Sequence, residues 1–319
     1  MRPRVSVVMT CYRQEAFVAE AVRSLLAQDY HPLEVVLSDD ASPDATWDVL
    51  REVVGDYTGP HEVVVRRNQS NLGPNAHNGV AFGVARGEFL VRAHGDDVSE
   101  PHRVRRLVET WRARRPTLIS SNALLIDGES AVHGQYLAPS SSRGIALEHI
   151  VEKGWDKPML GASYAWEKRL FDTFGPIDRR ILPRGGDHLL PFRAALLGGM
   201  FFLDEPLVRY RQHAGQQTRA IADRTQGDDV FMETLHAHNV TARLAMLHDL
   251  SQLRRAGVED ERLARARERL MARIVGETRH WVQRRNTLLL RDQRPTWVDR
   301  EILDAVEVDH AFEPESPAA

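Results

Sequence analysis

The chain has 319 residues, of which 42% are hydrophobic and 27% charged, a composition typical of a globular protein with a substantial core. Its formal net charge of −3 excludes a strong overall attraction to nucleic acid or anionic membranes, and no stretch approaches the roughly 20 apolar residues of a membrane-spanning helix. The single cysteine, Cys11, excludes an intrachain disulfide, and because we find no signal-peptide pattern we expect a cytoplasmic protein.

The first 115 residues alternate short β-branched runs with amphipathic segments. Residues 5–9 form a continuous apolar run, as in a strand buried on both faces, and the following Val18, Val22 and Leu25 share one helix face. Such patterns predict strands over residues 5–9, 34–37, 63–65 and 89–91, and helices over residues 15–28, 44–54, 76–85 and 102–115. This alternation predicts an α/β fold with a mostly parallel, doubly wound sheet.

The second half is less regular. It predicts strands over residues 119–126 and 201–210, a helix over 187–197, and polar connections over 139–143 and 178–186. From about residue 228 the pattern becomes helical, with a turn at Gly257 between two apolar stripes. The stripes consist of Leu244, Leu247 and Leu250, followed by Leu263, Leu270 and Ile274. We expect this helical region to pack on the rest of the chain or on a second subunit, and residues 312–319 to be frayed.

Acidic residues collect where the second and fourth predicted strands end. Asp39 and Asp40 follow one strand, and Asp96 and Asp97 follow the other. Ligands of open α/β sheets bind at the carboxyl ends of strands, and clustered carboxylates repel each other unless a cation or hydrogen-bond donors hold them. We therefore interpret Asp40, Asp96 and Asp97 as functional. For Asp44, which precedes a predicted helix, we favour a capping role.

Four segments, in this order, make the chain resemble the family 2 glycosyltransferases, a large inverting family with the GT-A fold. They are residues 5–12 (VSVVMTCY), residues 38–46 (SDDASPDAT), residues 71–73 (NLG) continuing through 85–89 (ARGEF) to 94–97 (HGDD), and residues 186–188 (GDH) with 210–213 (YRQH). The resemblance covers residues 4–215. It implies a GT-A domain over residues 1–225, with a nucleotide-binding half to about residue 115 and an acceptor half after it. Residues 226–319 would then be a C-terminal helical region that could form a homodimer surface.

The resemblance also implies roles for individual residues. Asp187 falls at the position of the catalytic base, and Asp96 and His213 at positions that hold a divalent metal, Mg²⁺ or Mn²⁺. Asp40 falls where the nucleotide base is bound, with Asp39 supporting it. The remaining residues assigned to the donor site are Thr10, Tyr12, Asn71 and Asp97. The implied donor is a nucleoside-diphosphate sugar, first of all a UDP-sugar, and the implied acceptor is a glycan or a small molecule.

The chain departs from the family pattern at several positions. His94 stands where an acid is commonest, and it is either a weak metal ligand or, as we favour, structural. Gly186 stands where a Glu usually precedes the base, and residues 74–78 lack an Arg that many relatives carry there. We interpret Cys11 as a buried small residue. The aromatic residues that could stack on an acceptor sugar, or equally be core residues, are Trp155, Tyr164 and Trp166.

Three other functions fit the sequence less well, and of these the sugar nucleotidyltransferase and a non-catalytic nucleotide-binding protein are kept as alternatives. A sugar nucleotidyltransferase needs a Gly-rich basic loop after the first strand, whereas residues 11–15 contain no glycine. A dehydrogenase needs a G-x-G-x-x-G motif that is not formed here. A non-catalytic nucleotide-binding protein is suggested by the lost acid at His94, but Asp187 and His213 argue against it, because a pure binder has no use for a base.

Overall fold

The computed structural model of the chain describes residues 2–153, 159–177, 182, 186–213 and 229–283. Its strands are β1 (Val5–Cys11), β2 (Leu33–Asp39), β3 (Glu62–Arg67), β4 (Phe89–His94), β5 (Val98–Ser99), β6 (Leu118–Ile126), β7 (Val132–Gln135), β8 (Arg143–Ile145), β9 (Ala165–Glu167) and β10 (Met200–Arg211). Its helices are α1 (Val18–Leu26), α2 (Thr46–Gly55), α3 (Pro74–Gly83), α4 (Arg103–Arg114), α5 (Leu147–Lys153), α6 (Lys168–Phe174), α7 (Gly186–Leu197), α8 (Asp229–Arg255) and α9 (Glu261–Gln283).

The described strands form one mixed sheet with the order β3-β2-β1-β4-β9-β6-β10-β5. Strands β3, β2, β1 and β4 are mutually parallel, and β6 is parallel to β10. The short β9 is antiparallel to both β4 and β6, so the six long strands all run in one direction. The mostly parallel sheet with flanking helices that the sequence predicted is therefore confirmed.

The central strands β1, β2 and β4 bury both faces, because helices cover the sheet on either side. Val7 of β1 and its neighbours pack against α1, α2 and α4. Val8, Val36 and Leu90 point to the opposite face and pack in a second cluster with α3 and α7. Alternate residues of one strand therefore belong to different layers, as the period of two requires. Within the described residues, no helix is both long and apolar enough to cross a membrane.

The predicted elements differ from the observed ones mainly at their ends. The helix predicted from residue 15 begins at Val18, because residues 14–17 form a turn in which the Gln14 carbonyl accepts from the amides of Phe17 and Val18. The helix predicted from residue 76 already begins at Pro74, which suits a first helical turn because proline lacks an amide hydrogen. The elements absent from the prediction are β5, β7, β8, β9, α5 and α6, all of seven residues or fewer.

The predicted C-terminal helical region is confirmed over the described residues 229–283. Leu244, Leu247 and Leu250 on α8 are buried in the same cluster as α7 and the sheet, and so are Leu263 and Ile274 on α9. The two leucine stripes thus pack within one chain. The predicted frayed tail at residues 312–319 lies outside the described residues, as does most of the connection predicted over 178–186.

A buried ion pair joins this helical region to α7. Arg193 of α7 donates to Asp249 of α8 through Nε at 2.8 Å and through a terminal guanidinium nitrogen at 3.1 Å. The two side chains are 6% and 1% exposed. Burial raises the pKa of Asp249, although the charge and hydrogen bonds of Arg193 oppose that shift. Without its partner, the Arg193 charge would stay buried and uncompensated, which is costly.

We therefore expect Asp249→Ala to lower the free energy of unfolding by about 3–5 kcal/mol. Urea denaturation followed by circular dichroism measures this loss. The matched control is Glu259→Ala, which removes the exposed pair of Arg254 and Glu259, whose side chains are 51% and 43% exposed. That change should stay within about 1 kcal/mol. Equal losses for the two variants would show that burial does not set the energy of the Arg193 pair.

Candidate active site

The floor of the site is a row of polar residues at the carboxyl ends of the parallel strands. Thr10 of β1 lies in register with Ser38 of β2 and with His94 of β4. Each lies an even number of residues after an apolar residue of its own strand that packs against α3 and α7. All three side chains therefore point to that same side of the sheet. This face therefore changes from core to polar surface at the strand ends, where open α/β sheets bind ligands.

Asp39 faces the other way. Its carboxylate is fully buried on the α1 and α2 side, where it accepts the Ser42 amide at 3.0 Å and the Ser42 hydroxyl. Nε of Arg67 lies 3.0 Å from the same carboxylate. Asp39 thus fixes the loop after β2. Burial and the charge of Asp39 raise the pKa of the Cys11 thiol, which is buried and donates to the Ser38 carbonyl, in keeping with a small buried residue.

Asp40 holds the loop over residues 71–73. It is 2% exposed, and its Oδ1 accepts from Asn68 Nδ2 at 2.6 Å and from the Leu72 amide at 2.9 Å. Its Oδ2 accepts the Gly73 amide at 3.0 Å, while Asn71 donates to its carbonyl at 3.4 Å. Both carboxylate oxygens are therefore engaged by the protein. The contact with a nucleotide base that the resemblance assigns to Asp40 stays a prediction.

A buried histidine that the sequence analysis did not select connects this loop to the floor. A ring nitrogen of His77 on α3 lies 2.7 Å from the Ser38 hydroxyl, and the other lies 3.9 Å from Asp40. Arg66 donates to Ser38 and, at 2.6 Å, to Asn68. Burial lowers the pKa of His77 and the charge of Arg66 adds to that effect, although the charge of Asp40 opposes it. His77 is therefore set to act as a neutral hydrogen-bonding group.

The acidic cluster after β4 has the side chains of a metal site. Ligand atoms of His94, Asp96 and Asp97 all lie within 4.8 Å of one another. Asp96 is 13% exposed, and its Oδ2 lies 3.2 Å from Nε2 of His213. Asp97 accepts the Arg211 amide through Oδ1, and its buried Oδ2 lies 3.5 Å from Nδ1 of His94. Carboxylate oxygens with imidazole suit a divalent cation.

The surroundings of the cluster shift the pKa values of Asp96 and Asp97 in opposite directions. Burial alone would raise the pKa of Asp96, but the hydrogen bond from His213 and the charges of both histidines lower it. Burial and the neighbouring charge of Asp96 raise the pKa of Asp97. Burial opposes the charged form of His94, yet the hydrogen bond and charge of Asp97 raise its pKa. Asp96 is therefore the acid that ionises more readily and is better suited to bind a cation.

Arg211 organises the loop that carries Asp96, and sequence reasoning gave it no role. Its side chain is fully buried, and its Nε donates to the Asp96 carbonyl at 2.8 Å. The rest of the guanidinium donates to the Asp127 carbonyl at 2.8 Å and to Glu20 at 2.6 Å, and it stacks on Phe17 at 4.8 Å. The one available signal was its place in the YRQH segment.

Gly95 allows the β4 loop to approach β1. Its amide donates to the Thr10 carbonyl at 3.2 Å. A Cβ atom at this position would lie 2.6 Å from Cβ of Cys11 and 2.5 Å from the Gln14 side chain. Any side chain would therefore push the acidic cluster away from the end of β1.

The remaining predicted site residues differ in what surrounds them. Tyr12 is 38% exposed, with the Arg13 guanidinium 5.4 Å from its ring centroid. Tyr164 and Trp166 are 0% and 2% exposed, so they are core residues and not a surface on which an acceptor sugar could stack. Asp187 is the second residue of α7, and its side chain lies outside the described part of the chain, as does Trp155.

Asp44 fits the capping role. It accepts the amide of Thr46, the first residue of α2, at 3.2 Å, and the Thr46 hydroxyl at 2.6 Å. The carboxylate therefore satisfies an amide that has no partner inside the helix.

Comparison with known sequences gives a family match. The family model for Glycosyl transferase family 2 matches residues 6–173. EpsE of Bacillus subtilis is 29% identical over 138 residues, which are 43% of this chain and 49% of EpsE. An uncharacterized glycosyltransferase of Nostoc is 26% identical over 229 residues, 70% of this chain and 69% of that protein. The chain thus spans about half to two thirds of these two relatives.

Comparison with solved structures gives the fold. Residues 1–349 of Staphylococcus aureus TarS in complex with UDP-GlcNAc superpose with a TM-score of 0.56 at 17% identity, over 86% of this chain and 81% of that chain. GalNAc-T7 with UDP, GalNAc and Mn²⁺ superposes with a TM-score of 0.54 at 18% identity, over 67% of this chain and 44% of that chain. Identities this low show a shared architecture and carry no residue roles.

Proposed function

The chain belongs to glycosyltransferase family 2 and has a GT-A fold, and from that premise we propose that it inverts the anomeric carbon of a nucleoside-diphosphate sugar as it transfers the sugar to an acceptor hydroxyl. The observation that carries this proposal is the cluster of His94, Asp96 and Asp97 after β4, with His213 after β10 lying 3.2 Å from Asp96, beside the polar floor. A leaving diphosphate accumulates negative charge, and a cation bound at this cluster would oppose it.

The arrangement of residues on the donor side of the site favours binding of a nucleotide. Thr10 lies near the end of β1 and Tyr12 directly follows that strand, and Asp40 holds the loop over residues 71–73 through the amides of Leu72 and Gly73. Together they border the polar floor, so a base and ribose would bind between β1 and this loop. A UDP-sugar is the proposed donor, because the similar folds of TarS and GalNAc-T7 were solved with UDP-GlcNAc and with UDP.

The residues proposed to hold a divalent metal are Asp96 and His213, with Asp97 beside them. Mg²⁺ or Mn²⁺ fits this set of oxygen and imidazole ligands. When bound, the metal would neutralise the diphosphate as it leaves the sugar. Arg211 would keep the Asp96 loop in place through the Asp96 carbonyl.

Asp187 is the proposed general base. It would accept the proton of the acceptor hydroxyl as that oxygen attacks the anomeric carbon, and one such displacement inverts the configuration. Its place in the first turn of α7 supports the proposal, because Asn75 of α3 contacts Gly186 and so brings this turn beside the donor loop. The proposed acceptor is a glycan or a small molecule with a free hydroxyl.

We expect the purified chain to release UDP from at least one UDP-sugar in the presence of Mn²⁺ or Mg²⁺, even without acceptor, because water can replace the hydroxyl. A nucleotide-release assay across a panel of nucleoside-diphosphate sugars measures this. A parallel reaction with nucleoside triphosphate and sugar 1-phosphate, read by pyrophosphate release, tests the nucleotidyltransferase alternative. Pyrophosphate release without any sugar-nucleotide turnover would overturn the proposal.

A further inference from the structure

We propose that Asn75 is a positioning residue that sets the start of α7, and with it Asp187, against the donor-binding loop. This inference rests on the proposed role of Asp187 as the base. Asn75 is the second residue of α3 and is 6% exposed. It is therefore buried at the junction of two helices, where an unsatisfied amide would be costly.

The carboxamide of Asn75 contacts the chain at two places before and at the start of α7, namely Leu182 and Gly186. Its Nδ2 donates to the Leu182 carbonyl at 2.6 Å, across 107 residues of sequence. Its Oδ1 lies 2.8 Å from the position that a Cβ atom would take at Gly186. One side chain thus fixes a carbonyl four residues before Gly186 and fills the space beside Gly186 itself.

This contact explains why glycine precedes the proposed base. A methyl group at position 186 would meet Asn75 Oδ1 and Ile177 Cδ1, both at 2.8 Å. Distances under 3.0 Å force one partner to move, and Asn75 is held in place by Leu182. Asn75 and Gly186 therefore form a matched pair, in which the carboxamide occupies the room of a side chain at 186.

The same turn of α3 is tied to the donor side. The Gly73 amide, two residues before Asn75, donates to Asp40, and His77, two residues after it, contacts Ser38. Asn75 therefore links the loop proposed to bind nucleotide to α7, whose second residue is Asp187. A shift of about 1 Å in the position of a catalytic group can cost on the order of 10²-fold in rate.

The test compares Asn75→Ala and Gly186→Ala with their double variant. We expect each single change to lower kcat roughly 10- to 100-fold while the donor KM stays within about threefold. UDP binding by calorimetry should be nearly unchanged. Because the two residues contact each other, the losses should not multiply in the double variant. Val80→Ala, on the 40% exposed outer face of α3, is the matched control and should keep the parent kcat.

Epistasis with Asp187 distinguishes positioning from general stabilisation. On an Asp187→Asn background, Asn75→Ala should lower the residual rate by less than about threefold, because the group it positions is already absent. A further loss as large as in the parent would overturn the inference. If Asp187→Asn is inactive while Asn75→Ala keeps full kcat, the inference fails and the proposed function stands. If Asp187→Asn is fully active, the inference and the role of Asp187 as the base both fail, whereas sugar transfer itself stands.

Asn75→Asp provides a second variant should the alanine variant fold poorly. It keeps the size of the side chain and an oxygen next to Gly186, but it loses the N–H that binds the Leu182 carbonyl. A lower kcat with unchanged UDP affinity supports the inference, and a parental kcat overturns it.

Discussion

Asp187→Asn is expected to give a folded protein that binds donor as the parent does and transfers almost no sugar. An amide cannot accept the proton of the acceptor hydroxyl, and loss of a general base costs roughly 10²–10⁴ in rate, or about 3–5 kcal/mol of transition-state stabilisation. Single-turnover transfer with saturating donor measures the chemical step directly. UDP affinity by calorimetry serves as the control for binding.

A capping role for Asp187 predicts a different result. Aspartate near the start of a helix such as α7 commonly caps free amides, and removing such a cap costs about 1 kcal/mol of stability. Asparagine caps helices almost as well as aspartate, so the Asn variant would then keep both stability and turnover. Transfer at close to the parent rate would identify Asp187 as a cap and require the base to be sought elsewhere.

Asp96→Ala is expected to lower metal-dependent transfer by at least about 10³-fold, equivalent to about 4 kcal/mol. Asp96 is the more acidic member of its cluster, and its Oδ2 lies 3.2 Å from His213, so its loss removes the carboxylate best placed to bind a cation. Binding of Mn²⁺ to the donor-free protein, followed by electron paramagnetic resonance, should weaken in parallel.

Two comparisons sharpen the Asp96 test. Asp48→Ala removes an exposed acid from α2 and should leave both Mn²⁺ binding and transfer at parental levels. Asp96→Asn keeps the size of the side chain but removes its charge, and it should bind Mn²⁺ more weakly than the parent. Full parental activity in excess chelator would contradict metal dependence altogether. If Asp96→Ala keeps parental activity but loses it in excess chelator, the metal is bound by residues other than Asp96.

The central elements of the fold could be predicted from local sequence. Residues 5–9 lie within β1 and residues 34–37 within β2, because strands buried on both faces have to be apolar throughout. The leucine stripes of α8 and α9 mark the sides that pack, because a helix repeats every 3.6 residues. The location of the acidic pairs at the same edge of the sheet was predictable as well, because the carboxyl ends of parallel strands lie at one edge.

Short antiparallel elements could not be predicted in this way. Strand β9 has three residues, and its extended conformation depends on pairing with β4 on one side and β6 on the other. Strand β5 has two residues and exists through its pairing with β10. Segments this short span too few residues to show a period, so only their partners define them.

The contacts that assemble the candidate site belong to the tertiary structure. The sequence, through its resemblance to a family, assigned Asp40 to the donor site and Asp96 to the metal site. It did not show that Arg211 donates hydrogen bonds both to the Asp96 carbonyl and to Glu20, which lies 191 residues away from Arg211 along the chain. Nor did it show that Asn75 takes up the space beside Gly186. Local patterns encode the conformation of a segment, whereas burial and hydrogen-bond geometry between distant segments arise only when the chain brings them together.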